Sequence, residues 1–175
     1  IGQRVFVDPV LRQDGARLFG AGLYGSEYDG GFAEYVRSPS NNAIRVEFDI
    51  SPVELATFPT AYLTAMHMLN RGRLVAGETV LVSGASGGVG SACVQLAKAR
   101  GARVVAIVGR GKEPAVTELG ADVIVTRVDT DMGGAVCEKL RGEKIDVFAD
   151  LVGGAGFETI LPLLHPEGGR YVTAG

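Results

Sequence analysis

The sequence has few of the residues that metal sites and disulfide frameworks need. It contains two cysteines, two histidines and no tryptophan among 175 residues. Cys93 and Cys137 lie far apart, in segments with a helical pattern, which predicts free, reduced thiols of a cytoplasmic protein. Neither cysteine has the spacing to other ligands that a zinc site shows. The sequence therefore predicts no disulfide and no metal site.

Long apolar runs and an excess of positive charge are also missing. No apolar stretch approaches the ~20 residues that a membrane-spanning helix needs. The net charge is −3, which argues against nucleic acid as a partner. Hydrophobic residues make up 46% of the chain, enough for a substantial core. We therefore expect a globular protein that acts on a small molecule, with neither a nucleic acid nor a membrane as its partner.

A glycine-rich turn between an apolar strand and a helix is the most informative motif. The strand is Thr79–Ser83, the turn runs from Gly84 to Gly90, and the helix continues to Arg100. Glycines let backbone N–H groups approach a phosphate, and the start of a helix carries partial positive charge. The motif predicts that the pyrophosphate of a nucleotide cofactor binds at this turn.

The residues after the turn support this interpretation. A second apolar strand, Arg103–Val108, follows the helix, whose end is marked by basic residues and Gly101. A glycine-rich turn that only packs a helix on a strand is the alternative. The order of strand, helix and strand favours the cofactor site, because dinucleotide-binding units have this order.

Strands and helices alternate along the rest of the chain. This alternation predicts an α/β fold with a doubly wound parallel sheet of Rossmann type, in which five of six strands are visible. The predicted strands are Thr79–Ser83, Arg103–Val108, Val123–Val125, Ile145–Leu151 and Arg170–Thr173. The predicted helices are Ser86–Arg100, Pro114–Leu119, Gly134–Leu140 and Phe157–Leu164.

Short strands and loops are predicted before residue 49. Arg4–Val7, Phe32–Val36 and Ile44–Val46 have strand patterns, and residues 10–30 have a loop-like composition. A helix is predicted from Ser51, with a capping box, to about Leu69. Proline at position 59 is expected to bend or split this helix.

Several short motifs, in this order and spacing, resemble the medium-chain dehydrogenase/reductase superfamily and its quinone-oxidoreductase-like branch. The resemblance covers essentially the whole chain. It implies that residues 1–48 are part of a GroES-like catalytic domain and that residues 49–175 are a Rossmann cofactor domain. The motifs are Gly2–Val5, Gly30–Val36, Leu63–Ala65, Gly77–Val82, Gly84–Gly90, Leu119–Asp122 and Gly168–Val172.

Both ends of the sequence look cut, so we expect the middle of a longer polypeptide. The Rossmann part would then be truncated before its sixth strand, and the full-length protein would be a homodimer, as the resemblance implies. Short-chain dehydrogenases have a similar glycine motif, but it opens their domain, and no tyrosine here has a lysine four positions later. That family is therefore the weaker match.

The residues after the second strand predict which cofactor binds. An acidic residue there would bind the ribose hydroxyls of NAD and repel the extra phosphate of NADP. The sequence instead has Arg110 and Lys112, with no carboxylate before Glu113. Both cations suit a 2′-phosphate, although solvated loop cations are the alternative. We therefore predict NADPH as the cofactor.

The resemblance implies further cofactor residues. Arg127 aligns with a position that flanks the phosphate, Thr64 would contact the nicotinamide end, and Val152 and Gly153 would lie near a ribose. Thr64 is alternatively a core residue whose hydroxyl bonds to the preceding turn. The glycine turn contributes the residues Ala85, Ser86, Gly87, Gly88, Val89 and Gly90, with Ala85 in place of the usual first glycine.

The resemblance implies hydride transfer from NADPH to a quinone, an enone or a related carbonyl compound, and it names no catalytic residue in this chain. Many relatives use zinc, but Thr60 stands where their third ligand would be. A zinc-independent enzyme is therefore favoured. A zinc-dependent alcohol dehydrogenase with a degenerate ligand is one alternative. A non-catalytic nucleotide-binding module, or the enoyl-reductase module of a larger synthase, is another.

Overall fold

A computed structural model describes residues 2–11, 22–127, 131–154 and 156–174. The chain divides into two compact units, Ile1–Thr60 and Ala61–Gly175. All the predicted cofactor residues belong to the second unit.

The first unit contains two small antiparallel sheets. Strand β1 (Val5–Val7) pairs with β4 (Ala43–Arg45), and β2 (Val10–Leu11) pairs with β3 (Gly22–Leu23). The buried Asn42 joins them, because its side-chain amide donates to the carbonyl oxygens of Asp8 and Val10, each at 2.9 Å. The pairing of β2 with β3 was not predicted, and residues 12–21 of that predicted loop lie outside the described residues.

The prediction of a strand at Phe32–Val36 is wrong. This segment is irregular and pairs with no strand among the described residues. The side chain of Phe32 is fully exposed and that of Tyr35 is 90% exposed. The alternating pattern predicted a half-buried strand, but a strand needs both a pairing edge and a core to cover its apolar face.

The predicted helix from Ser51 forms as two helices, α1 (Pro52–Leu55) and α2 (Phe58–Arg71). The capping box is present, since Ser51 accepts from the Glu54 amide and the Glu54 carboxylate accepts from the Ser51 amide, each at 3.1 Å. The expected break occurs just before Pro59, which lies in the first turn of α2, where its missing N–H removes no helical hydrogen bond.

The second unit is built on a five-stranded sheet whose strand order is β7-β6-β5-β8-β9. All neighbouring strands are parallel, which confirms the predicted Rossmann-type sheet. The order reverses at β5, so the sheet has its switch point between β5 and β8. The strands are β5 (Thr79–Val82), β6 (Arg103–Val108), β7 (Val123–Thr126), β8 (Val147–Asp150) and β9 (Arg170–Thr173).

Apolar cores cover both faces of this sheet. Along β5, Val80 and Val82 pack into one core, whereas Leu81 packs into the other. The first core includes residues of α2 and α3, and the second includes residues of α5 and α6. The remaining helices are α3 (Gly88–Ala99), α4 (Glu113–Glu118), α5 (Met132–Leu140) and α6 (Phe157–Ile160), which a 3₁₀ turn at Leu161–Leu163 follows.

Arg170, at the start of β9, links three segments at the edge of the sheet opposite to the glycine turn. Its guanidinium donates to the carbonyl oxygens of Gly72 and Gly168, each at 3.0 Å. It also pairs with the Glu78 carboxylate at 2.6 Å. Burial alone would raise the pKa of Glu78, but the hydrogen bonds from Arg170 and from the Val75 amide hold that pKa below its usual value.

Candidate cofactor site

The glycine turn lies at the carboxyl end of β5, directly before α3. The N-cap of α3 is Gly87, which has no side chain to cap the helix. The first helical hydrogen bond runs from the Ser91 amide to the Gly87 carbonyl at 2.8 Å. The amides of Gly88, Val89 and Gly90 therefore precede the hydrogen-bonded part of the helix, and their positive ends can bind an anion.

Close packing inside the turn explains two of its residues. A Cβ atom added at Gly90 would overlap the carbonyl oxygen of Gly84. Gly84 itself has a φ of +58°, in the left-handed region that favours glycine. Ala85 is fully buried, and its amide donates to the Ile107 carbonyl at 3.1 Å, which ties the turn to β6. Ser86, Gly87 and Gly88 remain exposed above this support.

The three predicted phosphate-binding cations follow β6 and β7. Arg110 and Lys112 come after β6, and Arg127 comes after β7, where its amide donates to the Val108 carbonyl at 2.7 Å. All three side chains are exposed. Because parallel strands end at the same edge, these cations lie at the same edge of the sheet as the glycine turn.

Glu113, the carboxylate that directly follows Lys112 in the sequence, points toward β7. Its Oε1 accepts a hydrogen bond from the Thr126 hydroxyl at 3.0 Å. Its own backbone amide, the Thr126 hydroxyl and, more weakly, the Gly111 amide and the charge of Arg110 lower its pKa. Glu113 therefore stays ionised. Because its Oε1 already accepts from Thr126 at the end of β7, that oxygen is not free to accept hydrogen bonds from ribose hydroxyls.

Val152 and Gly153 follow β8 on the other side of the switch point. The Val152 side chain is 57% exposed, and Gly153 has a φ of +63°. A Cβ atom added at Gly84 would lie 3.0 Å from Cγ2 of Val152. The loop after β8 therefore packs on the glycine turn, so two of the predicted cofactor segments are adjacent.

Asp150, at the end of β8, is a site residue that the sequence reasoning missed. Only 2% of it is exposed. Its Oδ1 accepts from the Ser83 hydroxyl at 2.5 Å and from the amides of Val152 and Gly153, each at 3.1 Å. Its Oδ2 accepts from the Tyr171 hydroxyl at 3.2 Å. Its position beside β5 in a sheet of Rossmann order was the signal that could have identified it.

The charge state of Asp150 follows from these contacts. Burial alone would raise its pKa, because it disfavours a charged group. Hydrogen bonds from Ser83, the amides of Val152 and Gly153, and Tyr171 outweigh burial and hold the pKa of Asp150 below its usual value. A buried carboxylate therefore lies at the switch point, fully supplied with donors.

Thr64 lies on α2 and is half-buried. Its hydroxyl makes no hydrogen bond with another described residue, so it does not bond to the preceding turn of the helix. Ala61 lies one turn earlier on the same face of α2. A Cβ atom added at Gly88 would lie 3.9 Å from the Cβ atom of Ala61. The face of α2 that carries Thr64 therefore borders the start of α3.

The other residues with metal or redox chemistry do not converge. Among the described parts of the chain, no group of three or more His, Cys, Asp or Glu side chains could hold a metal ion. Thr60, His67 and His165 are all exposed. Cys93 and Cys137 are both free thiols, as predicted. None of the helices in the described ranges combines the length and the apolar content that a membrane crossing requires.

The first unit contains an open cavity of about 1750 Å³. Its lining includes the exposed aromatic residues Tyr28, Phe32 and Tyr35. None of the predicted cofactor residues lines this cavity.

Comparisons with known proteins agree with this geometry. Residues 88–175 match the family described as zinc-binding dehydrogenase. A solved structure from Sinorhizobium meliloti, provisionally described as an alcohol dehydrogenase, is 52% identical with a TM-score of 0.92. That match covers 100% of this chain and 48% of the other.

Two further relatives have more specific descriptions. The quinone oxidoreductase of Thermus thermophilus, solved also with NADPH, is 36% identical with a TM-score of 0.71, over 86% of this chain and 48% of the other. The acryloyl-coenzyme A reductase of Metallosphaera sedula is 34% identical over 87% of this chain and 44% of its own length. A polyketide synthase subunit of Mycobacterium tuberculosis and a fungal highly reducing polyketide synthase are also similar to this chain, each with 32% identity. The chain spans less than half the length of the Sinorhizobium meliloti, Thermus thermophilus and Metallosphaera sedula proteins.

Proposed function

Because the chain belongs to the zinc-binding dehydrogenase family of the medium-chain dehydrogenase/reductase superfamily, we propose that it binds NADPH and that the protein is an NADPH-dependent reductase. One observation carries this proposal. The uncapped start of α3 follows a glycine turn at the switch point of a parallel sheet, where dinucleotides bind in such sheets.

The residues of the turn fit the pyrophosphate of a nicotinamide cofactor. The amides of Gly88, Val89 and Gly90 would bind it, and the exposed Ser86 and Gly87 leave room for close approach. Thr64 and the Val152–Gly153 segment would orient the remaining part of the cofactor.

The preference for NADPH over NADH rests on charge. Arg110, Lys112 and Arg127 surround the strand ends where the adenosine ribose would lie. Among the described residues, neither Lys112 nor Arg127 forms an ion pair with a carboxylate. Glu113, which directly follows Lys112, has one oxygen bound to Thr126. A 2′-phosphate would therefore meet cations that are available to it.

Electron-poor unsaturated compounds are the proposed substrates. When bound, the nicotinamide supplies a hydride to a quinone or to the β-carbon of an enone or enoyl thioester. Relatives described as a quinone oxidoreductase and an acryloyl-coenzyme A reductase support this class. The residues of this chain bind and orient the cofactor.

The description of the family implies zinc, but the described residues do not fit a zinc site. In the part of the chain that the structure describes, no three suitable side chains converge, and Thr60 carries a neutral hydroxyl. The proposed reaction therefore assigns no step to a metal. Stoichiometric zinc in the purified protein would instead favour the zinc-dependent alcohol dehydrogenase.

Calorimetric titration of the chain with NADPH and with NADH tests the cofactor assignment. We expect tighter binding of NADPH and a loss of about tenfold or more in NADPH affinity on Arg110→Ala, because a charge-assisted hydrogen bond is lost. NADH affinity should change little in that variant. Equal binding of both cofactors would contradict the phosphate assignment, and binding of neither would contradict the proposed function.

Lys139→Ala is the matched control. Lys139 is an exposed cation in the last turn of α5, so it lies near the opposite edge of the sheet. Its loss changes the net charge equally and should leave both affinities unchanged. A panel of quinones, enones and enoyl thioesters, followed by the loss of NADPH absorbance, then tests the reaction. NADPH binding without turnover of any panel member would favour a non-catalytic module.

A further inference from the structure

We propose that Asp150 is a positioning residue, which holds the Val152–Gly153 segment in the conformation that receives the nicotinamide half of the cofactor. This inference rests on the proposed function, and it goes further by assigning a role to a buried carboxylate that does not itself contact the cofactor.

Asp150 fixes the switch point from inside the sheet. It ends β8, and Ser83 directly follows β5, the neighbouring strand across the point of reversal. The Ser83 hydroxyl donates to Oδ1 of Asp150 at 2.5 Å and accepts from the Leu151 amide at 2.8 Å. The two strands that border the cofactor crevice are thus joined by side chains where their backbone ladder ends.

The same carboxylate sets the path of the loop after β8. Oδ1 accepts from the amides of Val152 and Gly153 at 3.1 Å each, so one charged oxygen binds two consecutive N–H groups. Charge-assisted hydrogen bonds of this kind are stronger than neutral ones. Gly153 has a φ of +63°, a conformation that costs glycine little and that these bonds stabilise.

Tyr171 of β9 fixes the other carboxylate oxygen. Its hydroxyl donates to Oδ2 of Asp150 at 3.2 Å, and its ring packs edge-on against Phe157, with centroids 4.7 Å apart. Phe157 begins α6, the helix that follows the loop. The loop is therefore tied down by hydrogen bonds where it leaves β8 and by aromatic packing where α6 begins.

The fixed segment lies on the nicotinamide side of the crevice. Arg110 and Lys112 place the adenosine phosphate near the end of β6, whereas β8 lies on the other side of β5. A dinucleotide that crosses the switch point from β6 must extend its other half over the end of β8. Val152 packs on Gly84 at that place and is 57% exposed.

Because Asp150 holds the Val152–Gly153 segment in place before binding, its loss should lower the affinity for the nicotinamide half of the cofactor only. A loop that must be ordered during binding loses affinity, because ordering each residue costs free energy. We therefore expect Asp150→Ala to weaken NADPH binding about tenfold or more. Binding of adenosine 2′,5′-bisphosphate, which is only the adenosine half, should stay within about twofold of wild type.

Asp146→Ala is the matched control. Asp146 precedes β8, and its carboxylate accepts from the Thr79 amide of β5 at 2.8 Å. It joins the same two strands at the opposite edge of the sheet. Its loss should lower the melting temperature without changing the ratio of the two affinities.

Calorimetry measures the binding of NADPH and of adenosine 2′,5′-bisphosphate, and amide hydrogen exchange is measured on the same proteins. These proteins are the wild type and the variants Asp150→Ala, Asp150→Asn and Ser83→Ala. We expect Asp150→Ala to accelerate exchange at Val152 and Gly153. Asp150→Asn keeps an acceptor for both amides and should stay within about threefold of wild type. Ser83→Ala, a milder change, should show the same selective loss even if Asp150→Ala does not fold.

The outcomes separate the two proposals. If the wild type binds neither ligand, the proposed function fails and this inference fails with it. If the wild type binds NADPH but the alanine variants lower the affinity for both ligands equally, or for neither ligand, only the role of Asp150 is overturned. An asparagine variant as weak as the alanine variant would also overturn it.

Discussion

A methyl group added at Gly90 should destabilise the second unit, whereas the same group added two residues earlier should not. At Gly90, the added Cβ atom would overlap the carbonyl oxygen and carbonyl carbon of Gly84 and the Cα atom of Ala85. All three are backbone atoms, which cannot rotate away. At Gly88, the nearest atom is the Cβ of Ala61 at 3.9 Å, an ordinary contact.

The expected magnitude combines two opposing effects. Overpacking of a closely packed site costs about 1–3 kcal/mol, and the upper end applies here because the backbone must move. Alanine offsets about 1 kcal/mol of this, since it favours a helix more than glycine does. We therefore expect Gly90→Ala to lose about 2 kcal/mol of unfolding free energy, whereas Gly88→Ala, which gains the helix preference without the overlap, should range from equal to wild type to about 1 kcal/mol more stable.

Thermal unfolding followed by circular dichroism measures this difference. A loss of about 2 kcal/mol corresponds to a fall of roughly 4–8 °C in melting temperature for a chain of this size. Urea unfolding gives the free energies directly, provided that the slope with denaturant is the same in all three proteins. The comparison cancels the change in side-chain chemistry, because both variants add one methyl group to the first turn of α3.

Two results would refute the reasoning. If Gly90→Ala is as stable as wild type, the turn is not packed as closely as described. If Gly88→Ala is destabilised as much as Gly90→Ala, the loss comes from the start of the helix in general and not from the overlap.

Three further predictions follow from the described contacts. Because the pKa values of Asp150 and Glu78 are lowered in the folded protein, their contribution to stability is complete above the usual carboxyl pKa range of about 3.9–4.3 and is lost as the pH falls below it. Melting temperatures measured from neutral to acidic pH check this, and Asp150→Asn should make the melting temperature less dependent on pH. Burial, only partly offset by Arg100, raises the pKa of Cys93 to about 12, so a thiol reagent should modify the half-buried Cys137 first in the native protein, and equal rates would contradict this. Arg170→Met should lose about 2 kcal/mol in urea unfolding, because the partly buried Glu78 loses its partner, and a stability equal to wild type would count against the described link.

The sheet could be predicted from the sequence because each of its strands is a short apolar run bounded by glycine or charged residues. β6 and β9 have the predicted bounds, and β5 ends one residue early. The segment Phe32–Val36 shows the limit of the same reasoning. Its alternation describes which side chains would share a face, but not whether anything covers that face.

The glycine turn and its cations were predictable because they are local in sequence. Asp150 was not, because its function depends on Ser83, 67 residues earlier, and on Tyr171, 21 residues later. An aspartate at the end of an apolar strand looks the same in sequence whether it is solvated or buried. Only the strand order, which brings β8 beside β5, distinguishes the two.

The division of the chain at Thr60 keeps the proposed cofactor site within one compact unit. Every residue proposed to hold the cofactor, from Thr64 to Gly153, lies in Ala61–Gly175, which has its own two-sided core. Substitutions within Ile1–Thr60 should therefore leave cofactor recognition intact. A chimera that joins Ala61–Gly175 to the corresponding first part of a relative should retain the preference of this chain between NADPH and NADH.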